Sequence, residues 1–399
     1  MQIQLADFVK AKPEHDELAG ILRACVHCGF CNAACPTYQV LGNELDGPRG
    51  RIYLMKQALE GQAVSRLTQQ HLDLCLSCRA CETTCPSGVR YGRLLDISRP
   101  MIDAIVGRSL PERIVRGLIT LIFPYRQRFG ALMAAARLAK PALPPALKQK
   151  IPPKPAAIAW PKARHARKML ALSGCVQNIL APEIDAASTR VLDKLGISLI
   201  PVPGSGCCGA LNYHLADPRR ALALARNNID ACRPLLEQGA EAIVMTASGC
   251  GVMAKDYGAL LQTDPYYAEP AARFSALVKD LCEVLIAEDL SVFKADHRTI
   301  AFQSPCTLQH GLRLSGVVET VLQTIGYRLV AVPDEHLCCG SAGVYSLLRP
   351  KLAARLRDDK LQALETHQPD IIATANIGCL SHLQSAGNQK IVHWIELLH

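Results

Sequence analysis

A chain of 399 residues, 49% hydrophobic and 20% charged, is long enough for more than one core and too apolar to stay disordered. Its net charge of +9 suggests nucleic acid only until it is located: residues 99–168 hold fifteen Lys/Arg against two Asp/Glu, net +13, leaving −4 for the rest. Few aromatic side chains interleave those bases and no zinc-finger or RNP pattern accompanies them, so no nucleic acid partner is expected.

The first residues carry Asp7, Lys10, Lys12, Glu14, Asp16 and Glu17 with no apolar run among them, which argues against a secretory leader. Eighteen cysteines, most in metal-ligand spacings, fit a reducing, cytoplasmic compartment. The longest apolar stretch worth testing, Gly117 to Pro124, is far short of the ~20 residues a membrane span needs. Membrane contact is therefore expected to be peripheral, at the inner face of the cell membrane. A helix is predicted over Glu14 to Arg23, with Leu18, Ile21 and Leu22 on one face, delivering Cys25 at its end.

There the chain begins a C-x2-C-x2-C-x3-C-P run, Cys25, Cys28, Cys31 and Cys35-Pro36, and it repeats the run at Cys75, Cys78, Cys81 and Cys85-Pro86. Such a run wraps a 4Fe-4S cluster with three thiolates and sends the fourth, before the proline, to the neighbouring cluster. The expected sets are Cys25, Cys28, Cys31 with Cys85, and Cys75, Cys78, Cys81 with Cys35. Zinc is the alternative, though it usually takes two separated CxxC pairs. Between the runs, Gly47-Pro48-Arg49-Gly50 reads as a turn and Arg51 to Glu60 as a helix carrying Ile52, Leu54, Met55 and Leu59. Residues 1–100 are expected to form a mainly helical, two-cluster ferredoxin-like domain.

Residues 101–167 read as a basic connector. Ile114, Leu118, Ile119, Leu121, Ile122 and Phe123 predict an amphipathic helix, suited to an acidic membrane surface, to a partner subunit, or simply to a solvated helix. The Pro-rich stretch from Pro141 to Pro161 reads as a semi-rigid linker.

Beyond it the chain is duplicated, in expected repeats 168–290 and 291–399. Cys175 to Cys207-Cys208-Gly209 and Cys306 to Cys338-Cys339-Gly340 both span 32 residues, and each copy adds a later Gly-Cys pair, Gly249-Cys250 and Gly378-Cys379. Both copies end in a similar string, Glu283-Val284-Leu285 and Glu396-Leu397-Leu398, and the first has a longer loop around Asp264 to Pro270. Short strands are predicted at MLALSG, ISLIPVP and AIVMTAS in the first copy and at TIAFQSP, YRLVAVP and IIATANI in the second, each followed by a helix. That alternation implies α/β repeats with parallel sheets, whose ligands collect at the carboxyl ends of the strands. The expected fold class is thus α+β multidomain.

Two quartets, Cys175, Cys207, Cys208, Cys250 and Cys306, Cys338, Cys339, Cys379, are expected to converge. They suit a further iron-sulfur cluster, a zinc ion, a reversible vicinal disulfide, or burial as plain structural cysteines. Cys232 and Cys282, without counterparts, are expected in the core. Adjacent cysteines can serve one site only if the strand has ended, and Gly209 and Gly340 ease that turn. Gly204-Ser205-Gly206-Cys207-Cys208-Gly209 matches GxGxxG, but the second copy has Glu335, Leu337 and Gly340 at the glycine positions, so nucleotide binding is not expected. His27, His214, His310 and His382 lie near cysteines and are weighed as cluster-tuning or structural groups. No nucleophilic triad, phosphate loop or flavin fingerprint is readable, so no catalytic residue is assigned and the chain reads as a relay that needs a catalytic partner.

The segments CVHCGFCNAACPTYQ, ELDGPRGRIYLMK and CLSCRACETTCPSGVRYG, with the two Cys-Cys-Gly copies, resemble the iron-sulfur subunits of bacterial glycolate oxidase over nearly the full length. The resemblance implies that Cys25, Cys28, Cys31, Cys35, Cys75, Cys78, Cys81 and Cys85 hold two 4Fe-4S clusters. It implies an FAD-binding partner that oxidises glycolate to glyoxylate, a second flavoprotein-like subunit, and electrons passed on to a quinone-type acceptor. An equivalent relay for lactate or glycerol 3-phosphate, or a non-catalytic thiol or metal redox scaffold, is the alternative. The Cys-Cys-Gly copies also resemble those of heterodisulfide reductase and of the third subunit of anaerobic glycerol-3-phosphate dehydrogenase. Heterodisulfide reductase closes each copy with CxxC, and this sequence has Met253 and His382 at the last positions. Four thiolates per copy then remain, which argues against a non-cubane cluster and direct disulfide chemistry.

Overall fold

Three helices with apolar stripes build the first core. His15–Ala24 buries Leu18, Ile21 and Leu22; Pro48–Leu59 adds Ile52, Met55 and Leu59; Tyr91–Val106 adds Leu94, Leu95 and Ile102. Pro48 starts its helix where no intrahelical N–H bond is lost. The first helix stops at Cys25, whose extended backbone leads into a cysteine loop, and Arg66–Asp73, capped by the Ser65 hydroxyl, leads into the other. The computed structural model describes residues 2–144, 151–155, 160–172 and 174–398. Much of the Pro-rich stretch, residues 145–150 and 156–159, lies outside the described residues, as does Ser173 ahead of Cys175.

Two further helices follow. Leu110–Ile122 opens with a Ser109–Glu112 capping box, and Arg126–Ala139 runs after it. The first buries Ile119 and Thr120 while Leu110, Ile114, Leu118 and Leu121 stay exposed.

The duplicated half contains two four-stranded parallel sheets of identical order. Strands β1 (Arg167–Ala171), β2 (Ile197–Pro201), β3 (Ile243–Met245) and β4 (Val278–Asp280) run β2-β1-β3-β4. Strands β5 (Thr299–Gln303), β6 (Arg328–Leu329), β7 (Ile371–Thr374) and β8 (Ile391–His393) run β6-β5-β7-β8. Each copy therefore has a fourth strand beyond the three expected, and β6 spans only two residues of YRLVAVP. Both repeated Glu-x-Leu strings stand directly after that fourth strand, in capping boxes that start short helical turns, Asp280 with Glu283 and His393 with Glu396. Pro270 lies in a helix, Ala268–Leu277, where a loop was expected; as its third residue, it gives up an N–H that has no intrahelical partner.

Side chains alternate across the first sheet as a period of two requires. Met169, Ala171 and Val244 face one core, while Leu170, Ile243 and Met245 face another, so the sheet is buried on both sides. The first of these cores runs through to Ile300, Phe302, Ile372 and the fully buried Trp394, so the two repeats share it.

The helical domain is clamped to both repeats. Asp73, its side chain 5% exposed, accepts from Arg108, from Arg116 at 3.2 Å and from Arg349 of the second repeat at 3.4 Å. Tyr345 donates to the Leu74 carbonyl at 3.2 Å, Arg99 to the His214 carbonyl at 3.1 Å, and Arg79 to Asp256 at 2.8 Å.

Candidate functional site

The two cysteine runs adopt the same unusual backbone. His27 (φ +57°) and Gly29 (φ +87°) flank Cys28, and Ser77 (φ +53°) and Arg79 (φ +61°) flank Cys78, all left-handed. Three of these four are not glycine, so the conformation costs about 1–2 kcal/mol at each. Strain repeated at matching positions marks loops shaped for a guest. Backbone N–H groups already meet sulfur there: Ser77 donates to Cys75 Sγ at 3.4 Å and Val89 to Cys85 Sγ at 3.5 Å.

Each run contributes to two neighbouring cavities. The first is lined by Cys25, Cys28, Cys31 and Cys85 among Pro48, Ile52 and Val89. The second is lined by Cys35, Cys75 and Cys78 with Thr37, Arg51 and Leu76. Cys81 and Tyr91 wall both, so the cavities lie back to back. The fourth cysteine of each run thus crosses to the cavity formed by the other.

The donor set fits a cluster. Cys25, Cys28, Cys31 and Cys85 surround the first void, and Cys35, Cys75, Cys78 and Cys81 the second. Burial pushes the Cys31 thiol up to about 11 and those of Cys78 and Cys81 well above the ordinary value, with neighbouring cysteines adding to it. Several thiolates held this closely in an apolar wall need a cationic core to offset their mutual repulsion.

The Cys-Cys-Gly segments lie after the strands, in turns. Gly209 (φ +89°) and Gly340 (φ +84°) occupy matching positions, and an added Cβ would meet the Ala221 carbonyl oxygen at 2.8 Å or the Ala353 carbonyl oxygen at 2.7 Å. Glycine is required there twice over, by handedness and by the approach of the following helix. In the first quartet Cys207 lies in hydrogen-bonding contact with Cys175 and Cys208. The Cys208 thiol is drawn well below its ordinary value by hydrogen bonds, first from Cys207 and then from Cys250. In the second, Cys306 Sγ and Cys338 Sγ stand 3.8 Å apart, Cys339 neighbours Cys338 and Cys379, and Asn376 donates to Cys379 Sγ at 3.6 Å. Met253 is buried, and His382 Nε2 is engaged with the Ala353 carbonyl at 3.1 Å. Cys232 and Cys282 are fully buried in the apolar cores.

The second cavity abuts the second quartet. Leu76, Cys78 and Val40 pack with Cys306, Cys338 and Tyr345, and Thr83 Oγ1 meets His310 Nδ1 at 2.9 Å. His214 Nδ1 lies 3.6 Å from Asp96, in a cleft of about 490 Å³ where the helical domain meets the repeats. Sequence reasoning missed Arg51, Tyr91 and Tyr345. For Arg51 and Tyr91 the signal was present in GPRGR and in the aromatic six residues after Cys85.

Residues 21–89 match the 4Fe-4S dicluster domain family, and residues 169–255 and 300–384 match the cysteine-rich domain family. The glycolate oxidase iron-sulfur subunit of Escherichia coli K12 is 52% identical over 401 residues, covering 100% of this chain and 98% of that protein. The chain belongs to the family of glycolate oxidase iron-sulfur subunits. A probable glycolate oxidase iron-sulfur subunit of Bacillus subtilis 168 is 30% identical over 95% of this chain and 94% of its own length. More distant is lactate utilization protein A of Bacillus velezensis, 24% identical over 56% of this chain and 96% of its own length. A crystal structure of a hypothetical protein from Helicobacter pylori shares the fold, with a TM-score of 0.59 and 11% identity over 98% of this chain and 73% of that one. This glycolate oxidase iron-sulfur subunit homologue thus carries 4Fe-4S clusters in a helical dicluster domain, followed by two cysteine-rich repeats with parallel sheets.

Proposed function

We propose that this chain is the electron relay of a glycolate-oxidising complex, taking electrons from a flavoprotein partner that turns glycolate into glyoxylate and handing them towards a quinone-type acceptor. The observation that carries this reading is the chain of adjacent sulfur sites: two thiol-lined cavities share a wall, and the second touches Cys306 and Cys338 of the second repeat. Cys25, Cys28, Cys31 and Cys85 would hold one cluster, and Cys35, Cys75, Cys78 and Cys81 the other. When bound, the clusters accept and release electrons singly, which lets a two-electron oxidation be passed on in one-electron steps. Tyr91 lies in the wall common to the two sites, and the N–H groups of Ser77 and Val89 donate to the sulfurs of Cys75 and Cys85. The four thiols at each Cys-Cys-Gly turn would form the next stations, as further clusters or as redox thiols.

Rapid mixing of the oxygen-free complex with glycolate is expected to bleach the partner's flavin and then the broad cluster absorbance of this chain. Flavin bleaching with fully oxidised clusters would end the relay reading. Lactate is the second substrate to mix, because the similarity to lactate utilization protein A supports that variant.

The same proposal places the chain on the inner surface of the cell membrane. Among the described residues no helix is long and apolar enough to cross a membrane. Leu110–Ile122 instead exposes Leu110 (67%), Ile114 (53%), Leu118 (51%) and Leu121 (48%) within the segment that holds the net +13. Co-sedimentation with vesicles rich in anionic lipid is expected, weakening with salt. Leu118→Asp removes roughly 1.5–3 kcal/mol of apolar burial and should weaken it about tenfold or more. Equal sedimentation with neutral vesicles, or an unaffected variant, would refute this docking mode.

A further inference from the structure

The second cavity is lined by two arginines, Arg79, paired with Asp256 at 2.8 Å, and the more deeply buried Arg51. Arg51 lines the second cavity with its side chain 1% exposed, donating through Nε to the His71 carbonyl at 2.8 Å and through Nη2 to Thr37 Oγ1 at 3.1 Å. Thr37 Oγ1 in turn lies 3.3 Å from Cys35 Sγ, so the guanidinium connects to a sulfur through one hydroxyl. Its counter-ion Asp46 is 4.0 Å away, is engaged with His71 Nδ1 at 2.7 Å, and does not line the cavity. The positive end of the pair therefore faces the thiols. The first cavity has only Arg49, 37% exposed and bound to Glu44 at 2.6 Å, where water screens the charge. A guanidinium is never deprotonated in a protein, so Arg51 keeps its charge in both oxidation states of its neighbour.

We propose that Arg51 is a positioning residue that raises the reduction potential at the second cavity above that at the first, so that an electron entering the chain settles beside Cys306. The inference rests on the cluster reading given under Proposed function. The step it describes is internal: one electron leaves the site of Cys25, Cys28, Cys31 and Cys85 and enters the site of Cys35, Cys75, Cys78 and Cys81, with no proton required. A buried positive charge stabilises the added electron there far more than an exposed one would.

The test is a dithionite titration of the full chain, loaded with iron and sulfide without oxygen and followed by electron paramagnetic resonance. Arg51→Gln is expected to lower the midpoint of one signal by about the equivalent of a tenfold change in reduced fraction, about 59 mV for one electron. Arg51→Lys should retain most of the wild-type value. Asp46→Asn, which removes the counter-ion, should move the same signal in the opposite direction, which loosened packing would not do. Arg51→Gln leaving both signals in place, moving both equally, or moving only the signal abolished by Cys28→Ser would overturn the assignment. The cluster reading itself fails separately, if the wild-type chain binds far fewer than about eight irons or gives no signal on reduction.

Discussion

Replacing Cys78 with serine should cut glycolate-driven reduction of the acceptor at least ~100-fold, beyond the ~10–100-fold typical of losing a partner behind a metal ligand. Serine presents a harder, far less acidic donor than a thiol, so the site it lines loses affinity for iron. Bound iron is expected to fall from about eight to about four per chain, while the partner's flavin is still reduced by glycolate. Cys78 makes this the most damaging single change, because its loop lines the second cavity and also packs against Cys306 and Cys338. Holding the cluster and passing the electron on would fail together. Cys232→Ala, a change at a fully buried cysteine in an apolar core, should leave the iron content unchanged. Full iron and full activity in Cys78→Ser would dismiss the site.

The largest expected effect on stability is at Asp73. Asp73→Asn would leave the guanidinium groups of Arg116 and Arg349 without the carboxylate that pairs them, and Arg108 with Asp103 alone, at 2.6 Å. Removing one member of a buried charge set costs about 3–5 kcal/mol, against a few tenths for an exposed pair. Part of that cost falls on the attachment of the second repeat, because Arg349 belongs to it. Burial works against the charge on Asp73, but Arg108 and then Arg116 outweigh it and hold the carboxyl below its ordinary value of 3.8. A carboxyl depressed in the folded state contributes fully above that ordinary value and loses its contribution as the pH falls through the lower, folded one. Thermal unfolding should therefore start earlier in Asp73→Asn at neutral pH, and the gap to wild type should narrow in strong acid. A variant with unchanged melting at pH 7 would show that the cluster of arginines is held by other contacts.

What could be read from the sequence was local geometry. The cysteine runs are legible because ligand spacing along a short loop fixes which thiols can reach one guest, and the two 32-residue intervals are legible because duplication preserves chain length between turns. β1 and β3 were readable as apolar runs because residues such as Leu170 and Met169 are buried on opposite faces. β4 and β8 were missed because three residues with a lysine and an aspartate, or a histidine, carry no such run. Their signal was the Glu-x-Leu string after each, a capping box mistaken for a mere repeat mark. Arg51 and Asp73 could not be found this way. A charge that ends inside the protein is spelled like one that ends in water, and only the packing of distant segments around it tells them apart. The left-handed His27, Ser77 and Arg79 were hidden for the same reason, since nothing in their residue types demands that backbone.

The crossing of the fourth cysteines has a consequence for how the protein is made. With the pairing proposed above, the site begun by Cys25 stays one thiol short until Cys85 has left the ribosome, although three of its ligands were synthesised some fifty residues earlier. The site begun by Cys35 is complete only slightly sooner, at Cys81. Neither can mature alone on the nascent chain, so loading becomes a single event at the end of the dicluster segment. A chain interrupted before Cys81 carries neither four-thiol set complete.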